Sequence, residues 1–328
     1  MFGFCNKNNF LSPLWIIRAG SENYTPLFPC YDHGTLSDLL ETNNPTIGWE
    51  YYASSPYYLW TAPNAISHIC KPLGMNGNQP TCANQDFTTH VITTSAGQIL
   101  HDLGADTRQG QQVCNLPTNS VTWVIPDGAW SDHPNPDGDA GFGPSWVASI
   151  VNAVGGYNNS GQQLTSNCGY WNNTAIFVVW DDWGGWYDHV TPSSVIINQN
   201  GVWGSGYVYG FRVPLLVVSA YTGISSNGPY KPYISDPWNG QGNPPTSCDL
   251  LTQHCMDFGS ILKFVESNWG LGNIGGSQYQ YADFYAAAID PGFFGLTSQR
   301  PFQYISAPKT QMFFITYNGS PQPPDNDD

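Results

Sequence analysis

Basic side chains are scarce. Nine lysines and arginines face 24 aspartates and glutamates in 328 residues, a formal net charge of −15. So few cations leave no electrostatic footprint for a nucleic-acid backbone or an anionic membrane surface, and both partners are excluded. No run of ~20 apolar residues occurs, so no transmembrane helix is expected. Eight cysteines stand at positions 5, 30, 70, 82, 114, 168, 248 and 255 without one Cys-x-x-Cys pair. That spacing argues against a structural zinc site. The opening segment, MFGFCNKNNFLSPLWIIRAG, has no basic start, no long apolar centre and no small-x-small cleavage site. It does not read as an export signal. No internal repeat is visible.

What is present is apolar, aromatic and rich in turns. Hydrophobic residues make up 41% of the chain, enough for a sizeable core, alongside 35 Gly, 26 Pro, 13 Trp and 19 Tyr. The length admits one large domain or two small ones. Cys70 with Cys82 and Cys248 with Cys255 are spaced for local disulfides; small buried thiols are the alternative. Asn-x-Ser/Thr triplets at Asn23, Asn158, Asn172 and Asn318, with the even cysteine count, point to an oxidising, exported setting. An exported composition without a signal creates the expectation that the natural N-terminus lies outside this chain.

Periodicity then places the elements. TLSDLLET (35–42) spaces its leucines as a helix does, with Thr35 as the cap. IGWEYYAS (47–54) alternates as a strand, and 55–117 is mixed and punctuated by Gly, Asn and Pro. SVTWVIP (120–126) is a strand stopped by proline. GPSWVASIVNAVG (143–155) is a helix with Pro144 in its first turn and Gly155 at its close. TAIFVVW (174–180) and VPLLVVSA (213–220) are continuous apolar runs, the pattern of buried parallel strands. DFGSILKFVESNWGL (257–271) is an amphipathic helix capped by Asp257 and ended near Gly270. Strands alternating with helices predict an α/β fold with a largely parallel sheet flanked by helices.

The chemistry concentrates in FVVWDDWGGWYDH (177–189). Asp181 and Asp182 follow an apolar strand, and ligands of open α/β sheets sit beyond the carboxyl ends of strands. Two adjacent carboxylates repel unless a positive charge lies between them, and a hard divalent cation is the simplest such charge. Gly184 and Gly185 allow a sharp turn, and His189 follows on the same loop. The bland alternative is one capping and one solvated aspartate. In PDGAWSDHPNPDGDAGFGPSW (126–146), Asp127, Ser131, Asp132 and His133 follow a second strand end. His133 is a candidate to bind phosphate or shuttle a proton, against the plainer reading of a turn histidine. Arg212 either binds an anion or pairs with an aspartate, and structural pairing is the expectation. His254 lies just before the helix at 257.

FPCYDHGTLSDLL (28–40), VTWVIPDGAWSDHP (121–134), GPSWVASIVNAVG (143–155), TAIFVVWDDWGGWYDHVTP (174–192), GFRVPLLVVSAYT (210–222) and FGSILKFVESNWGL (258–271), in this order, resemble the phosphoesterase family of bacterial phospholipases C and acid phosphatases, within the alkaline phosphatase superfamily. The resemblance implies an alkaline phosphatase-like fold and metal-dependent hydrolysis of phosphate esters, small soluble esters or phospholipids. It implies that Asp181 and Asp182 bind a divalent metal ion, and that His133 and His189 act at the phosphoryl group. It covers a phosphoesterase domain (28–310), leaving an atypical lead (1–27) and a tail (311–328) expected to be partly disordered from the composition of its PQPPDNDD end (321–328). It implies a secreted or periplasmic protein.

The resemblance also exposes departures. The family's first motif, a Glu-Asn pair followed by a polar residue, Phe and Asp, supplies further metal ligands, and its Ser or Thr nucleophile comes between that motif and the segment matching FPCYDH. Only 27 residues precede FPCYDH here, so the expectation is that this N-terminal part is missing. Glu22-Asn23 imitates the pair, but no Phe-Asp follows. Two other readings stand beside the hydrolase: a truncated, inactive member, and a secreted carbohydrate-binding protein suggested by the Trp, Tyr, Asn and Gly content.

Overall fold

The structure is a computed structural model and describes residues 32, 34–43, 47–56, 60–77, 79–94, 96–103, 115–132, 142–158, 160–164, 168–181, 187–188, 210–223, 233–235, 256–274 and 286–317. In chain order the elements are α1 (Leu36–Asn43), β1 (Gly48–Ala53), α2 (Ser67–Cys70), β2 (Leu73–Asn76), β3 (Gln79–Cys82), α3 (Gln85–His90), β4 (Val91–Thr93), α4 (Ala96–Asp102), β5 (Ser120–Val124), α5 (Phe142–Val154), β6 (Ala175–Val179), β7 (Leu215–Ser219), α6 (Phe258–Trp269) and α7 (Gln311–Thr316). They pack as two units: Met1–His33, Ile47–Cys168 and Tyr304–Asp328 form the first, Gly34–Thr46 and Gly169–Gln303 the second.

The first unit holds a parallel sheet flanked by helices, the expected α/β fold. Its order is β4-β1-β5, with Tyr51 opposite Val91 on one side and Trp123 on the other. Parallel neighbours require crossovers. Residues 54–90 supply one, and α4 lies on the other. Trp49, Tyr51 and Tyr52 of β1 are buried, as aromatic residues on a central strand should be. Between β1 and β4 the β2–β3 hairpin is antiparallel, and the expected Cys70–Cys82 disulfide ties its end to α2. Cys168 is also disulfide-bonded; Cys248 and Cys255 lie outside the described residues. Trp130, Trp146 and Phe314 meet with ring centroids 5.1 to 5.9 Å apart. Phe314 belongs to α7, so residues 311–316 are helical and its ring is 1% exposed. Asn152 of α5 fixes the incoming chain as a strand would, giving one hydrogen bond to Ile305 O and taking one from Ile305 N.

The second unit centres on β6 and β7. The apolar runs are strands, as expected, but they pair antiparallel, Ala175 opposite Ser219 and Val179 opposite Leu215. Leu216 is exposed and β6 only half-buried. The expectation of buried parallel strands is corrected for this pair: a continuous apolar run carries no information on strand direction. Val217 packs with Ile289 and Phe293, and Phe177 of β6 lies 5.0 Å from Phe264 of α6. Helix α6 starts where Asp257 accepts from Ser260 N while Ser260 Oγ accepts from Asp257 N, a reciprocal cap, and ends at Gly270 in the left-handed region at φ 67°. At α1, Thr35 and Asp38 cap each other the same way.

One buried polar group of the first unit has a titration consequence. The Tyr52 hydroxyl lies 3.1 Å from both Glu50 and Asp102. A phenol has one hydrogen, so it serves one carboxylate and the second contact needs a proton from elsewhere. Asp102 Oδ1 already accepts from Gln98 and Asn115, and His101 Nδ1 lies 3.5 Å away. Glu50 has its pKa raised, first by burial, with Asp102 adding to the rise and Tyr52 and His90 opposing it. Burial thus favours the protonated form of Glu50. Unfolded, it loses its proton near the ordinary value of 4.5; folded, it does so at higher pH. Between those values the folded state holds more protons, so this group's contribution to stability falls as pH rises and is level above the folded pKa. Urea unfolding across the acid-to-neutral range should show wild type losing stability relative to Glu50→Gln as pH increases.

Candidate functional site

The candidate residues fall after two strands, one in each unit. In the first unit the chain leaves β5 through Ile125 and Pro126 into a tight turn. Asp127 is buried and its carboxylate caps a short 3-10 helix, Gly128–Trp130, by accepting from Ala129 N at 3.0 Å. Trp130 turns into the core, and Ser131 donates to Gly128 O at 3.3 Å. Asp132 then adopts φ +63°, a left-handed conformation uncommon for a residue with a side chain. Its carboxylate fills the space beside Gly143, where a Cβ would stand 2.2 Å from Asp132 Oδ1. Gly143 is in the first turn of α5, so the negative charge sits against the positive end of that helix. His133, next along the chain, lies outside the described residues.

In the second unit Asp181 is exposed just past the carboxyl end of β6. Asp182 and His189 lie outside the described residues, as do His254, Glu22 and Asn23. Asp188 and Arg212 come together. Arg212 donates from Nε and Nη2 to the two oxygens of Asp188 at 3.0 and 2.9 Å, and its backbone N–H adds a third bond at 3.0 Å. The Asp188 side chain is 8% exposed and that of Arg212 59%. The hydrogen bonds to Asp188 push the Arg212 pKa up. Arg212 is thus a structural clamp, the expected role, but Asp188 as its partner was not singled out in the sequence. The two residues stand 24 positions apart, and no local spacing links them.

The donor chemistry at Asp181 suits a hard divalent cation, an exposed carboxylate beyond a strand end. Asp188, three bonds deep with arginine, is engaged elsewhere. Among the described residues no group of three or more His, Cys, Asp or Glu is arranged to hold a metal. The described histidines of the first unit pair with groups other than the candidate site residues. His90 Nδ1 meets Trp49 O at 2.7 Å while its ring stacks on Trp49, and His68 Nδ1 lies 3.3 Å from Asp32.

The chain belongs to the phosphoesterase family, whose pattern matches residues 19–272. It is 30% identical over 199 residues to the non-hemolytic phospholipase C of Burkholderia pseudomallei, covering 55% of this chain and 24% of that protein. It is 33% identical over 185 residues to phospholipase C A of Mycobacterium tuberculosis, covering 52% of this chain and 28% of that protein. The non-hemolytic phospholipase C of Pseudomonas aeruginosa is 22% identical over 173 residues. The aligned part is thus about a quarter of the length of the first two relatives. No solved structure gives a significant match.

Two substitutions test the local geometry. Gly143→Ala should push the exposed Asp132 carboxylate aside from the helix start, so the lost charge–dipole contact cancels most of the ~1 kcal/mol gain in helix propensity and thermal unfolding should move by less than about 1 kcal/mol. Arg212→Ala should cost about 1–3 kcal/mol in urea unfolding, since it strips charge-assisted bonds from a buried carboxylate. Arg212→Lys should recover little, because an ammonium cannot reproduce the fork.

Proposed function

We propose that this chain takes part in metal-dependent hydrolysis of phosphate esters, of acid phosphatase or phospholipase C type. The observation that carries the reading is the family match over 19–272 together with an exposed aspartate, Asp181, just past the carboxyl end of a strand. In this reading residues 28–310 are the phosphoesterase domain. Asp181 and Asp182 bind a divalent ion, which when bound supplies charge neutralisation for the phosphoryl oxygens. His133 and His189 hold phosphoryl oxygens or hand a proton to the leaving group. Asp132 anchors the turn that precedes His133, and the Asp188–Arg212 clamp steadies the segment before His189. The substrate is a small phosphate ester or a phospholipid, the latter supported by the phospholipase names of the relatives.

A secreted or periplasmic location belongs to the same reading. It is supported by the Cys70–Cys82 bridge and the disulfide-bonded Cys168, since such bonds persist in oxidising compartments. Among the described residues no helix is long and apolar enough to cross a membrane.

The test is turnover of a chromogenic phosphomonoester and of a phospholipid by the purified chain, across a panel of divalent metals. Metal-dependent turnover is expected, with Asp181→Asn lowering it by about a hundredfold or more. A folded chain that turns over neither substrate with any metal, or that ignores Asp181→Asn, sinks the proposal.

A further inference from the structure

We infer that the disulfide-stapled β2–β3 hairpin is a membrane-contact element that seats Leu73 and Met75 in the headgroup region of a zwitterionic phospholipid surface. Leu73 is 43% exposed and Met75 67% exposed, both large apolar side chains. They are two residues apart on one strand, so they share a face of the hairpin. Exposed Lys71 and Pro72 lead into that strand, and Asn76 and Gly77 at its far end are exposed and uncharged.

The base of the hairpin is rigid, as an inserting element requires. Cys70 of α2 is bonded to Cys82 of β3. Ala83 N donates to Pro72 O at 2.9 Å, and Asn84 Nδ2 bridges to His68 O and Lys71 O at 2.6 Å each. Two apolar side chains held on such a base enter a lipid interface without first being ordered, which lowers the entropic cost of binding.

Charge selects the kind of surface. In a chain with 24 acids, no Asp or Glu occurs from Tyr51 to Gln85, and Lys71 lies within that stretch. Asp32 approaches it at the α2 end, meeting His68. With Asp86 in the first turn of α3 the nearest acid beyond it in the chain, this segment meets less repulsion from lipid phosphates than the acidic remainder of the chain would. The net charge of −15 still disfavours an anionic bilayer, which leaves a zwitterionic one. Size argues against a protein occupant: a stable protein interface takes about 800 Å² from each partner, far more than two side chains supply. A peripheral lipid contact needs only apolar side chains reaching ~5–10 Å into the headgroup boundary.

The inference rests on the phosphate-ester reading for its choice of lipid, and its test is separable from turnover. Disulfide-intact chain is sedimented with phosphatidylcholine vesicles. Leu73→Ser/Met75→Ser should lower the partition coefficient by about tenfold or more, without a change in unfolding temperature. Met312→Ser, which removes from α7 an apolar group as exposed as Leu73, should leave it unchanged. The inference is overturned if wild type does not partition, if the double variant partitions equally, or if sedimentation equilibrium shows self-association that the double variant abolishes while vesicles are ignored. Turnover of a phosphomonoester and of phosphatidylcholine, measured alongside across the metal panel, separates the two ideas. Partition without turnover sinks only the hydrolase reading, and turnover without partition sinks only the hairpin.

Discussion

With nine cations for 24 acids, most carboxylates of this chain must be satisfied by something other than a positive charge. The structure meets that constraint with hydroxyls, amides and backbone N–H groups. Asp290 accepts from Tyr233, Ser235 and Gly292 N, which pins the turn carrying Phe293 into the second unit's core. Asp257 opens α6, and α6 in turn carries Phe264 against Phe177 of β6. Asp127 caps the turn after β5, and Asp102 takes Tyr52, Gln98 and Asn115. Charge-assisted bonds of this kind are among the stronger hydrogen bonds in proteins. Each also fixes a backbone segment, so the acid excess is part of how the fold is held.

The first unit is organised around β1, which has a parallel neighbour on each side. Those neighbours close both of its edges, and its buried aromatics, Trp49 and Tyr51 on one face and Tyr52 on the other, show that both faces are covered as well. Its one acid, Glu50, remains there by sharing Tyr52 with Asp102 and holding its proton to higher pH. In the second unit Arg212, one of the few cations, is spent on Asp188. Asp181 is exposed past the end of β6.

Much of the fold was legible in the residues. Thr35 and Asp257 were readable as caps and Gly270 as a stop, because capping depends on side chains within three or four positions of the groups they satisfy. Helix α5 was readable too, although it runs on to Gly155 N bonding Val151 O, with Gly156 the left-handed residue beyond it. The Cys70–Cys82 bridge followed from short spacing. The candidate site was legible mainly through the order of its motifs. Asp132 seated on Gly143 was not, since nothing in SDHP or FGPSW announces that one fills the space of the other.

By itself the sequence determined the strongly periodic elements α1, β1, β5, α5, β6, β7 and α6, the α/β class and the family, because these rest on local hydrogen bonding, on periodicity and on the order of short motifs; the short elements between residues 55 and 117, β4 of the central sheet among them, and α7 carry no such period and were not read. Only the tertiary structure decided that β6 and β7 run antiparallel, that Asp188 is the partner of Arg212, that Glu50 and Asp102 share one tyrosine, and that the chain packs as two units. Those outcomes depend on contacts between residues far apart in the chain, and a local pattern specifies that a segment is apolar or charged without specifying what it will meet.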